Sequence, residues 1–213
     1  MLTRSGKARI FGAALLLATG AAVGLGGTAN AIPPGIPDAD TAATELADLT
    51  VAPAGSMDGY DRDLFPHWST VEGACNTREA VLERDGDDVE VGEDCQPTSG
   101  TWTSPYDGDT WDAPADVDID HMVPLAAAWR SGAADWTTDE RETFANDLTS
   151  PQLWAVTDNV NQSKGDKTPD EWQPPLESNH CQYASAYTHV KYTYDLTVTE
   201  AEQAALEDML ATC

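Results

Sequence analysis

Read as alternating apolar and polar positions, the chain separates into short strand-like runs and longer helix-like ones. "DVDIDHMV" (116–123) alternates with period two, so Val117, Ile119, His121 and Val123 share one face and the acids take the other. Pro124 then suits the first turn of a helix, "PLAAAWRS", which Gly132 closes. "TTDERETFANDL" (137–148) places Thr137 and Glu140 at capping-box spacing and predicts a second helix. "LWAV" (153–156) reads as a short strand that passes into a polar helical stretch with Asn159, Asn161 and Lys164, broken at Gly165. "SNHCQYASAYTHVKYTY" (178–194) looks helical. Residues 199–213 form a capped amphipathic helix with Ala205, Leu206, Met209 and Leu210 inward.

The other segments are less regular. "REAVLERDGDDVEVGEDC" (78–95) offers two apolar–polar alternations around "DGDD", a hairpin signal. "SGTWTSPYDGDTW" (99–111) predicts an irregular strand pair. Residues 32–55 open on "IPPGIPDAD" and hold only a weak helical patch, "TAATELADL", so a flexible N-terminal segment is expected there. Residues 56–213 then make one compact domain with no internal repeat. The fold class is α+β: a small single domain of helices around minor hairpins.

Composition changes this picture in three ways. Residues 1–31 have a basic start (Arg4, Lys7, Arg9), an apolar small-residue run and an Ala-Asn-Ala ending, the pattern of a secretory signal peptide. An uncleaved membrane anchor is the competing reading, disfavoured by the small-residue cleavage pattern. The expected mature chain is secreted, extracellular, free of the membrane and monomeric. It carries 8 Lys+Arg against 37 Asp+Glu, a field that repels polyanions and argues against nucleic-acid binding through a broad basic face. Its four cysteines are expected to pair as Cys75–Cys95 and Cys181–Cys213, each stapling a local unit. No pair has the Cys-x-x-Cys spacing of a structural zinc site.

The candidate chemistry lies at "DVDIDHMVPLAAAW". Phosphodiester hydrolysis needs a base to deprotonate water and a cation to stabilise the crowded phosphorane. Histidine is the natural base near neutral pH, and hard oxygen ligands such as Asp and Asn suit Mg²⁺ or Mn²⁺. Adjacent strand residues point to opposite faces, so Asp120 and His121 cannot share one task unless the strand twists. "DIDHMVPLAAAW" followed by "NVNQSKGD" resembles the HNH, or ββα-metal, nucleases, and within them the exported actinobacterial proteins of the GmrSD-type HNH family. "YDRDLFPHW", "CNTREAVL" and "RSGAADWTTDERETFANDL" match that family's layout, and the similarity covers roughly 44–213.

The resemblance implies a fold built around a ββα-metal motif and an endonuclease with nucleic acid, DNA first, as a weakly bound substrate. His121 would be the general base. Asp120 and Asn161 would hold one divalent cation, Mg²⁺ before Mn²⁺. Lys164 would bind phosphate or stabilise the transition state. The middle position of the pattern, often an asparagine bracing the histidine loop, falls at Gln152. Arg130 and Arg141, on helices the layout puts near the site, are phosphate-clamp candidates, with surface salt bridging the competing reading.

Bland readings stand beside these. His121 alone could be a half-buried strand histidine, and Asp118 a solvated or second-shell acid. His67 in "FPHWS" reads as structural, as do His180 and His189 among tyrosines. A non-enzymatic exported binding module, favoured by the acidity, and a phosphodiesterase on small or wall-linked phosphates are the rival functions.

Overall fold

The computed structural model describes Met1 and residues 32–213. The export signal read over 1–31 therefore lies, apart from Met1, outside the described residues. The rest is α+β, with short antiparallel strands among helices. No helix among the described residues is long and apolar enough to cross a membrane.

The N-terminal segment differs from expectation. Asp38 caps α1 (Ala39–Asp48) by accepting from the Thr41 amide, and Ala42, Leu46 and Leu49 are buried against the C-terminal helices. The chain beyond it is pinned as well: Val51 bridges Val198, and the Gly55 amide donates to the Arg130 carbonyl at 2.7 Å. What reads as a weak patch in isolation acquires its stability from the apolar face it buries. The segment is part of the fold rather than a tether.

A short strand pair, β1 (Thr70–Glu72) and β2 (Cys75–Asn76), leads into a second departure. The first half of the expected hairpin is a helix, α2 (Thr77–Asp85), with Val81 and Leu82 fully buried. Asn76 and Glu79 form a complete capping box that satisfies the first amides, which outweighs the local alternation. The hairpin forms one element later, from β3 (Asp87–Val91) and β4 (Pro97–Thr103), and β5 (Thr110–Trp111) adds a third strand. Cys75 pairs with Cys95 and Cys181 with Cys213, as expected from the sequence.

The centre is a two-stranded antiparallel hairpin of β6 (Val117–His121) and β7 (Leu153–Thr157), in register from Val117↔Thr157 to His121↔Leu153. Between its strands run α3 (Leu125–Arg130), after Pro124, and α4 (Thr138–Ala145), started by the Thr137/Glu140 capping box. The short helix α5 (Asp158–Lys164) follows β7 directly and packs on both strands. Helices α6 (His180–Thr193) and α7 (Glu200–Leu210) close the domain against α1.

The hairpin separates two cores. Val117, Ile119, Leu153 and Ala155 join Val81, Leu82 and Trp102 on one side. Trp154 and Val156 join Tyr106, Tyr183 and the larger helical core on the other. Period-two alternation thus sends Asp118 and Asp120 toward α5 and His121 to the opposite face.

Candidate active site

His121 ends β6, 4 % exposed, with its Nε2 at 2.9 Å from the Ala145 carbonyl at the end of α4. A carbonyl can only accept, so this contact assigns the proton to Nε2 and leaves Nδ1 as the lone-pair nitrogen. Among the described residues nothing hydrogen-bonds Nδ1. Burial pushes the His121 pKa down to about 3, the Ala145 carbonyl opposes this, and the charges of Arg62, His67 and Lys164 add to the depression. The imidazole is therefore neutral at neutral pH. Trp68 lies 5.6 Å from it and His67 6.5 Å, ring centroid to ring centroid.

On the α5 side two rungs connect helix to strand. The Asn161 amide donates to Asp118 Oδ2 at 3.0 Å, and one turn later Lys164 Nζ donates to Asp120 Oδ2 at 2.6 Å. Helical i, i+3 spacing on α5 matches the i, i+2 spacing of one strand face. Lys164 is fully buried and also donates to the His121 carbonyl at 2.9 Å. Its burial lowers its pKa, while the Asp120 carboxylate acts to raise it. Tyr106 OH donates to the same Asp120 Oδ2 at 2.6 Å, and burial followed by the Asp120 charge raises its pKa well above the ordinary phenol value, so it stays a donor.

Three of the sequence expectations change here. Lys164 spends its ammonium inside the protein and is placed to hold Asp120, not to reach a phosphate. Arg141 is likewise buried: its guanidinium donates to the carbonyls of Leu64, Ala133 and Trp136 and lies against the Phe65 and Trp129 rings. It knits loops together and is not presented as a phosphate clamp. Arg130 donates to the Asp166 carbonyl and lines a cavity of about 250 Å³ with Asp170, Glu171 and Glu202. Those acids suit no phosphate, and neither His121, Asp120 nor Asn161 lines that cavity.

Gln152 is fully buried and clamps Val123 from both ends, accepting from its amide at 3.1 Å and donating to its carbonyl at 3.0 Å. The Met122 amide also donates to the Gln152 carbonyl at 2.7 Å. The turn after His121 is thereby fixed, and the longer amide spans it without difficulty.

Sequence reasoning passed over Tyr106, which no local signal marks because its partner lies 14 residues away. Asp118, read from the sequence as a solvated acid or one supporting a ligand, takes the second of these places, on the same strand face as Asp120 and bonded to Asn161.

Among the described residues no three His, Cys, Asp or Glu side chains gather into a ready-made metal cage. The available donors are mixed carboxylate and amide oxygens. Asp120 keeps Oδ1 free of described partners while Oδ2 is fixed by two donors, and Asn161 keeps its amide oxygen while its Nδ2 is used. One oriented oxygen from each residue fits a hard, hydrated divalent cation.

These residues lie within a match, over 80–209, to the family described as GmrSD restriction endonucleases, C-terminal domain. The chain belongs to that family. It is a nuclease-type HNH family, which accords with the ββα arrangement of β6, β7 and α5. A curated relative, an uncharacterized secreted protein of Arthroderma benhamiae, is 61 % identical over 181 residues, covering 85 % of this chain and 89 % of its own. That relative is fungal, so the actinobacterial part of the resemblance finds no support. Its description as secreted and the two disulfides agree with an extracellular location. No solved structure matches.

Proposed function

We propose that the chain is a secreted, metal-dependent HNH endonuclease that hydrolyses phosphodiester bonds of nucleic acid, DNA first. The observation that carries the reading is the His121 Nε2 contact with the Ala145 carbonyl, which leaves Nδ1 as an unbonded lone pair able to serve as a base. Nδ1 takes the proton of the attacking water. The approaching phosphodiester anion raises the proton affinity of the ring as the bond forms, which offsets the low resting pKa. Asp120 and Asn161 would hold one Mg²⁺ or Mn²⁺, whose chemistry is Lewis-acid stabilisation of charge on the phosphoryl and leaving oxygens. Lys164 and Tyr106 fix the carboxylate of Asp120, and Gln152 fixes the backbone that carries His121.

The strong negative charge favours a second reading, a non-enzymatic exported module of the same fold that binds a partner other than nucleic acid. The test is residues 32–213 with plasmid DNA in Mg²⁺ or Mn²⁺, in EDTA, and as His121→Ala. Nicking that is lost with EDTA and falls by 10²- to 10⁴-fold in the variant, as expected for a missing general base, supports the nuclease. Intact plasmid across metals and salt, from protein with native circular dichroism, supports the module.

A further inference from the structure

The described chain has eight basic side chains beyond the signal region, and seven are consumed internally or by neighbours. Arg78 donates to the Pro114 and Val117 carbonyls, Arg84 pairs with Asp85, and Arg130 holds Asp166. Arg141 and Lys164 are buried on carbonyls and Asp120, Lys167 donates to the Ser163 carbonyl, and Lys191 is buried on Glu202. Only Arg62, among the described residues, is exposed with no hydrogen-bond or ion-pair partner for its basic group; the exposed Lys167 has just the Ser163 carbonyl. Its charge acts on His121 and on Tyr60.

The segment around Arg62 is built to hold a position. Arg62 opens a single 3₁₀ turn (Arg62–Leu64), and Phe65 beyond it is fully buried between Trp129 and Phe144. Helix α4 and its C-terminal residue then grip the loop. Arg141 donates to the Leu64 carbonyl, Asn146 Nδ2 donates to the Pro66 carbonyl, Asn146 Oδ1 accepts from the Ser69 amide, and Glu142 accepts from the Ser69 hydroxyl. Ala145 of the same helix orients His121.

Within this loop His67 has its Nδ1 at 2.8 Å from the Phe65 carbonyl, so the carbonyl fixes Nδ1 as the protonated nitrogen and leaves Nε2 without a described partner. Trp68, at φ 62°, occupies the left-handed region that an aromatic residue adopts only at a cost, and its ring forms a wall of the His121 environment. One helix therefore sets both the histidine of the proposed chemistry and a half-buried histidine, tryptophan and unpaired arginine beside it.

We infer that Arg62 and His67 form the phosphodiester-binding half of the site, contacting non-bridging oxygens of the phosphate that His121 faces, with Trp68 as the adjoining wall. This rests on the nuclease reading for its consequences in turnover, but not for binding. A protein with so few free cations gains little polyanion affinity from its general field, so a single local guanidinium carries a large share of it. A planar guanidinium fork suits phosphate oxygens, and His67 joins it through Nε2 when that nitrogen carries a proton, since a bare ring nitrogen only accepts.

The experiment has two readouts on residues 32–213. In kinetics with short DNA and Mg²⁺, Arg62→Gln and His67→Gln are each expected to raise KM at least tenfold with kcat within about threefold. Arg62→Lys should restore part of the loss, and Arg62→Gln should lower the salt dependence of substrate binding by about one counterion. In EDTA, the dinucleotide thymidylyl-thymidine and, separately, inorganic phosphate are titrated while the His67 ring proton resonances are followed by NMR. Wild-type shifts that weaken at least fivefold in Arg62→Gln support the inference even if turnover is absent. Unchanged KM and unchanged resonances in both variants, with native melting temperatures, overturn it. A loss of kcat alone, with binding intact, overturns it as well, and a fall in melting temperature that tracks the loss assigns the loop a merely structural role.

Discussion

On its α5 side, β6 buries a charged pair; on its α4 side, it buries a neutral imidazole. Asp120 accepts from Lys164 and Tyr106, two donors that replace water around its buried carboxyl group. His121 has one carbonyl partner and stays uncharged, because burial penalises the cation more than that carbonyl supports it. The same strand thus holds a doubly hydrogen-bonded carboxyl group and an imidazole that is neutral at neutral pH one residue apart. Hydrolysis by the proposed route needs both, and neither state would hold if the two environments were exchanged.

The sharpest way to break this comparison is to strand the anion. Lys164→Met leaves Asp120 buried with only the tyrosine hydroxyl, and a loss of about 3–5 kcal/mol is expected, from the cost of an uncompensated buried charge. Urea denaturation measures it. Asp120→Asn combined with Lys164→Met should recover most of that loss, because the uncompensated charge is gone. If the double variant is no better than the single, the pair is not what holds α5 on β6.

The neutral side is tested by acid. His121 has a folded pKa of about 3 against an ordinary 6.5, so between those values the unfolded chain binds a proton that the folded chain refuses. Its contribution is fully present above about pH 6.5 and is lost as pH falls toward 3. The ceiling on this effect is about 5 kcal/mol, since each pKa unit is worth about 1.4. Carboxylates such as Asp147, whose pKa is lowered by hydrogen bonds from Ser150, Thr149 and Tyr194 against the opposing effect of burial, shift stability in the same sense. The difference between wild type and His121→Gln in melting temperature from pH 7 to 4 isolates the imidazole. Parallel curves would show that His121 is not held neutral by burial.

A smaller effect separates the two donors on Asp120. Tyr106→Phe keeps the ring stacked on Trp154 and removes one hydrogen bond to a charged oxygen, an expected loss of about 1.5–3 kcal/mol by chemical denaturation. If Asp120 is the proposed cation ligand, Mn²⁺ affinity should also fall, by about tenfold or more, readable by paramagnetic relaxation without any turnover.

How much of this was legible in the sequence depends on how local each cause is. The Thr137/Glu140 and Thr199/Glu202 caps, the cysteine pairing and the divergence of Asp120 from His121 follow from spacings of a few residues or from simple loop economy, and the structure carries all of them. The helix α2 was masked because its alternation is a weaker instruction than the capping box one residue upstream. The packed α1 could not be read, since its apolar face means nothing until α6 and α7 are opposite it. At the candidate site, charge type was legible and charge fate was not: Lys164 and Arg141 look like phosphate ligands in sequence, and only the three-dimensional arrangement shows their donors spent on Asp120 and on carbonyls.

The finest version of the comparison lies within one strand face. Asp118 and Asp120 have the same side chain, the same orientation and neighbouring partners on α5, yet Asp118 is half-buried with an amide while Asp120 is 6 % exposed with an ammonium. Neutralising Asp118 as Asp118→Asn leaves its oxygen able to accept from Asn161, and solvent already screens the charge, so a change within about 0.5 kcal/mol is expected. Asp120→Asn leaves the Lys164 ammonium buried opposite a weaker acceptor and should cost several times more. Equal losses at the two positions would mean that burial, not partner chemistry, governs this face. A larger loss at Asp118 would move the anchoring of α5 from the Lys164 rung to the Asn161 rung, and with it the carboxylate best oriented to meet a cation.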